Sequence, residues 1–146
     1  MLARTPLRDV LHTVLPAAKL GIREWERRGL IAFVEWVEAQ ECYAPKRIIN
    51  FHMQTACEIE INDRFCGTVV CIGGFVGLMH DMSHAEIGHY VMHETASGPL
   101  GELYYLPRYY PVEYGDITPA MAAEVTRHFL LTGIVDWLLV VPPKAA

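Results

Sequence analysis

Apolar positions in residues 22–40 fall on one side of a helix: Trp25, Leu30, Phe33, Val34 and Val37 recur at helical spacing. Arg23, Glu24, Glu26, Arg27 and Arg28 interleave with them and read as the ordinary solvated face of that helix. Gly29 weakens it by about 1 kcal/mol relative to alanine and marks the place for a break. Thr5-Pro6 reads as an earlier helix start, kept short by Pro16 and Gly21. Ser83, followed by Glu86, predicts a capping box and a helix to about Glu94 with Ile87, Tyr90 and Val91 inward. Thr118-Pro119 opens the last strong helix, with Met121, Val125, Phe129 and Thr132 on one face and Gly133 placed to end it.

Between these helices the pattern is mixed. Ile48, Ile49, Phe51 and Met53 suit a strand or a buried turn of helix, and Glu58–Asp63 alternates like a strand until Asn62-Asp63 ends it. In the stretch from Gly67 to Met79, Val69, Val70, Ile72 and Val76 favour a strand. Thr68 would instead cap a helix, and Gly73 and Gly77 would share one helical face and admit a neighbour backbone to backbone. Residues 95–117 read as a loop or hairpin rich in Gly, Pro and Tyr, and Ile134–Val141 as a short helix or an added strand. The expected architecture is mainly α: a single compact domain over residues 1–146, with about four to five helices and a Tyr/Pro-rich loop or small hairpin.

Composition narrows the function classes. A hydrophobic content of 52% against 20% charged residues excludes disorder. A mean hydropathy of +0.19 is high for a small soluble monomer and points to apolar surface covered by a protein partner or another copy of the chain. The net charge of −5 argues against nucleic acid and anionic membranes, which need clustered Lys and Arg. The start has charges where a signal peptide is apolar, and the apolar run Phe129–Val141 falls short of the ~20 residues that span a bilayer. Four cysteines without a secretion signal suggest reduced thiols and a cytoplasmic setting.

Four groups could carry chemistry. Glu86, His89 and His93 form a Glu-x-x-His-x-x-x-His face that could hold a transition metal, although one helix supplies three ligands at most. Cys57, Cys66 and Cys71, with His52 or His80, could assemble a zinc site but lack the usual close pairs; buried inert thiols explain them as well. Cys66-Gly67 before a Gly-rich apolar run fits a thiol nucleophile at a helix N-terminus, with His128 and Asp136, or His93, as partners. Tyr104, Tyr105, Arg108, Tyr109, Tyr110 and Tyr114 offer interface chemistry, unless the loop folds its rings over the core. Phosphate loops, dinucleotide fingerprints and Gly-x-Ser-x-Gly are missing, so no cofactor is expected.

Four blocks carry a resemblance: Phe51-x-Met53; Cys66-Gly67-Thr68-Val69-Val70-Cys71-Ile72-Gly73-Gly74; Thr118-Pro119-Ala120-Met121-Ala122-Ala123; and Gly133-x-x-Asp136-Trp137. Together they resemble a family of small bacterial and tailed-phage proteins with a Cys-Gly-Thr-x-x-Cys-Ile-(Ala/Gly)-Gly signature. The matching blocks run from about residue 50 to residue 137. The resemblance implies a helix over residues 67–79 and a bacterial or phage setting, and it carries over no active site. The leading expectation is a non-enzymatic interaction or assembly protein, a virion component or an accessory protein. A cysteine hydrolase using Cys66 and a metal-binding module through Glu86, His89 and His93 are the alternatives.

Overall fold

The computed structural model describes residues 5–39, 48–51, 57–61, 66–107, 110 and 116–140, with residues 48–51, 57–61 and 66–70 described as backbone. The fold is mainly α. Among the described residues the helices are α1 (Ala17–Leu20), α2 (Glu24–Ala39), α3 (Ile72–Met79), α4 (His84–His89), α5 (Pro99–Tyr104) and α6 (Pro119–Thr132). Three short strands, β1 (Ile48–Phe51), β2 (Cys57–Ile61) and β3 (Cys66–Val70), form a small sheet in the order β1-β3-β2. β3 runs parallel to β1 and antiparallel to β2.

α2 lies against both α6 and α3. It buries Leu30, Phe33 and Val34, as its periodicity requires. It also buries Glu26, which corrects the reading of residues 23–28 as a wholly solvated face. The helix runs unbroken through Gly29, because the missing side chain is what lets α3 approach. A Cβ there would stand 2.9 Å from Val76 Cγ1 and 3.2 Å from Val76 Cα.

Every residue of α3 from Ile72 to Leu78 is buried. Gly73 and Gly77 share a face as expected, and each admits a neighbour. A Cβ on Gly73 would meet Val91 Cγ2 at 2.8 Å and Tyr104 Cδ2 at 2.9 Å, and one on Gly77 would meet Ile87 Cγ1 at 2.8 Å. The helix is shorter than the resemblance implied. Residues 66–70 pair as a strand, in keeping with the β-branched Thr68, Val69 and Val70. The helix cap is therefore Cys71, not Thr68: the Cys71 Sγ accepts the Gly74 N–H at 3.4 Å.

The capping box of α4 forms in full. Glu86 N–H donates to Ser83 Oγ at 3.2 Å, and Ser83 N–H donates to Glu86 Oε1 at 3.0 Å. These bonds from Ser83 hold the Glu86 carboxyl below its usual range, so this capping contribution is present above that range and is lost as pH falls through the lowered value. α4 continues into a π-helical turn, Tyr90–Glu94, closed by Thr95 N–H on Tyr90 O at 3.2 Å. α6 starts and stops where its signals stand. Thr118 Oγ1 accepts the Met121 N–H at 3.1 Å, and Gly133 takes the left-handed φ of +79°. Val125 and Phe129 are buried and Met121 partly so, but Thr132 is exposed and turns its hydroxyl back onto His128 O.

Two further expectations change. The region 95–117 holds a helix, α5, with Pro99 at its first turn after Gly98. Gly101, which reads as a loop residue, sits in it because a Cβ would stand 2.5 Å from Thr95 O. Near the N-terminus, Leu7–Asp9 and Leu11–Thr13 are single 3-10 turns without a side-chain cap, so Thr5 starts no α-helix. Within the stretch read as a short helix or added strand, Trp137–Val140 form a 3-10 turn, and Val141 lies outside the described residues. No helix among the described residues is long and apolar enough to cross a membrane.

Candidate functional site

The tyrosine-rich segment and the C-terminal turn are brought together. Trp137 is 2% exposed and reaches α5, where its Nε1–H donates to Glu102 O at 3.1 Å. Tyr110 stands against it edge to face, with ring centroids 6.2 Å apart, and its hydroxyl donates to Trp137 O at 2.9 Å. Asp136 Oδ1 accepts the Leu138 N–H at 3.0 Å and fixes the start of the turn. The anchored tryptophan leaves its neighbours pointing outward: Leu138 is 71%, Ile134 58% and Leu139 47% exposed. Tyr105 is partly exposed and donates its hydroxyl to Val91 O at 3.0 Å.

Tyr104 is not part of this surface. It is taken into the core, and this corrects its assignment as a contact residue. Its hydroxyl lies 2.8 Å from that of Tyr90, which donates to Glu26 Oε2 at 2.7 Å. Because the Tyr90 proton is committed to Glu26, Tyr104 is the donor in the tyrosine pair. Glu26 Oε1 also accepts from the Arg23 backbone N–H at 2.8 Å and from Arg23 Nε at 3.1 Å. The Arg23 guanidinium lies 4.5 Å from the Trp25 ring centre, and Trp25 stacks on His80 at 4.2 Å. Burial, first of all, pushes both phenols well above their usual range, and the neighbouring Glu26 charge adds to it. A carboxylate with its donors in place, beside two phenols that hold their protons, forms a structural network in which neither phenol gives up its proton near neutrality.

A signal for Glu26 exists in the sequence. It precedes Leu30 by one helical turn and Phe33 by two, so the same periodicity that buries those residues also buries it. Its partner Tyr90 is far away in the chain, and only the fold supplies it.

The cysteine readings do not come together. Cys66 lies on β3 opposite Ile61, and Cys57 lies on β2 opposite Val70. These are opposite ends of a five-residue ladder, separated by roughly 13 Å at strand rise, too far for one zinc ion. The helix N-terminus invoked to activate Cys66 belongs to Cys71, which is buried. His128 is half-buried on α6, and no hydrogen bond joins it to Asp136 among the described residues. His52, Arg108, Tyr109 and Tyr114 lie outside the described residues. Glu86 is occupied by its cap, while His89 and His93 stand side by side with ring centroids 5.1 Å apart. Among the described residues no three His, Cys, Asp or Glu side chains gather as a metal set.

Two open cavities flank α2. One, of about 570 Å3, has Leu7, Trp36 and Phe75 in its wall with Glu35 and Glu38. Glu38 is committed there to Arg127 Nη1 at 3.0 Å and to the Leu7 N–H at 3.2 Å. The other, of about 530 Å3, opens beside Arg23, Glu26 and Glu94. No family model, curated protein or solved structure matches the chain.

Proposed function

We propose that the chain is a small non-enzymatic interaction or assembly protein, and that it self-associates through its C-terminal apolar turn. One observation carries this reading. Leu138 and Leu139 are 71% and 47% exposed beside a tryptophan that is 2% exposed, so the turn is held firmly while these two leucines present apolar area outward. Covering apolar area releases roughly 25 cal/mol per Å2, and a rigid presentation loses little entropy on docking. Ile134, Tyr105 and Tyr110 extend the candidate contact, with Arg108, Tyr109 and Tyr114 of the same segment as further contributors. The sequence resemblance supports a bacterial or tailed-phage setting, as a virion component or an accessory protein. Neither nucleic acid nor a cofactor enters this function.

Sedimentation velocity tests it. The wild-type chain is expected to associate in the micromolar range. The double variant Leu138→Asp/Leu139→Asp is expected to associate at least about tenfold more weakly, a change of about 1.4 kcal/mol. Both side chains are exposed, so the fold remains. A wild-type chain that stays monomeric at high concentration would overturn the proposal.

A further inference from the structure

We propose that His89 and His93 form a two-imidazole site for a divalent transition-metal ion, with Cu2+ bound ahead of Ni2+ and Zn2+. The two residues lie one turn apart, His89 ending α4 and His93 within the π-helical turn that follows it. Both are exposed, and their ring centroids lie 5.1 Å apart with the planes tilted by 43°.

That spacing fits chelation. A metal–nitrogen bond of ~2.0–2.1 Å plus about 1.1 Å from nitrogen to ring centre puts each ring centre about 3.2 Å from the ion. Two such rings lie about 5.2 Å apart at a tetrahedral angle and about 4.5 Å apart at the right angle that Cu2+ and Ni2+ favour, so the two exposed rings close by about 0.6 Å to take these ions. Imidazole nitrogen suits these three ions, and the general affinity order places Cu2+ first. The nearby carboxylates are engaged elsewhere. Glu86 holds the α4 cap, and Glu94 lies 3.7 Å from Arg23. The chain therefore contributes two ligands, and water completes the coordination. This differs from the three-ligand face expected from the sequence, because the capping box removes the carboxylate.

The test is calorimetric titration of the EDTA-treated full chain with NiCl2 and with CuCl2. Variants His89→Ala and His93→Ala are compared with His84→Ala as the control on the same helix. The wild-type chain and His84→Ala are expected to bind one equivalent at least tenfold more tightly than either site variant. Ni2+ is expected to raise the melting temperature of the wild-type chain and to leave that of His93→Ala unchanged, since only the intact pair bridges the folded turn. Both histidines are exposed, and circular dichroism of the variants checks that they fold. A loss smaller than tenfold in the site variants, or an equal loss in His84→Ala, overturns the proposal.

Discussion

Gly73→Ala is expected to lower the unfolding free energy by about 2–3 kcal/mol, while Gly88→Ala leaves it unchanged or raises it by up to about 1 kcal/mol. The two substitutions are chemically identical and both sit inside short helices. In each, alanine gains about 1 kcal/mol of helix propensity over glycine. At Gly88 nothing lies within 4 Å of the new methyl group, so the propensity gain stands alone. At Gly73 the methyl group would press on Val91 at 2.8 Å and on the Tyr104 ring at 2.9 and 3.1 Å. Val91 is nearly fully buried and Tyr104 is tied by its hydroxyl to Tyr90, so neither can step aside without opening the core. Urea denaturation at 25 °C measures both variants. Equal stability of the two would mean that α3 is not packed on its Gly73 face as described.

Tyr90→Phe is expected to cost about 3 kcal/mol, and Tyr104→Phe about 1 kcal/mol. The difference follows from which hydroxyl donates to which. Tyr90 gives its proton to the buried Glu26 carboxylate and accepts one from Tyr104. Removing it leaves a charged acceptor short of a donor and strands the Tyr104 hydroxyl inside the core. Removing the Tyr104 hydroxyl ends one neutral bond and leaves Tyr90 still donating. The double variant is expected to fall short of the sum, since one bond is shared.

The same pair makes the protein sensitive to alkali. Both folded phenols titrate well above an unfolded value of about 10, so above that pH the unfolded chain releases two protons that the folded chain retains. Fewer bound protons in the unfolded state means stability that falls as pH rises, by about 1.4 kcal/mol per pH unit for each tyrosine. Below pH 10 neither contributes a slope. Absorbance at 295 nm should show these two phenols ionising only as far-UV dichroism is lost. Early ionisation of all the tyrosines, with the fold intact, would contradict the buried pair.

The sequence was most legible where local chemistry decides the outcome. Ser83 with Glu86, Thr118 with Pro119, and Gly133 each fix a helix end through bonds within a few residues, and each does so here. Gly73 and Gly77 announced a close approach without naming what approaches. Local reasoning failed where distant partners decide. β-Pairing on both sides takes residues 66–70 away from the helix, and Thr68 loses its cap to Cys71. Glu26 looked like one surface charge among several until Tyr90 and Arg23 surrounded it. Gly101 read as part of a loop, yet it sits in α5, where the carbonyls of Thr95 and Ala96 fill the space a side chain would need. Of the candidate contacts, Tyr104 and Tyr105 are adjacent in sequence and opposite in fate, one in the core and one at the surface.

The helix α3, buried from Ile72 to Leu78, also sets an order of events. An eight-residue helix is marginal on its own in water, and this one has no polar side to face solvent while it waits. Its α2 neighbour precedes it in the chain, but Ile87, Val91 and Tyr104, which close over its glycine face, follow it. During synthesis at ~5–20 residues per second, the segment from Ile72 to Met79 is therefore made before its cover exists. Its consolidation awaits the arrival of α5, and until then its apolar side chains are open to wrong contacts.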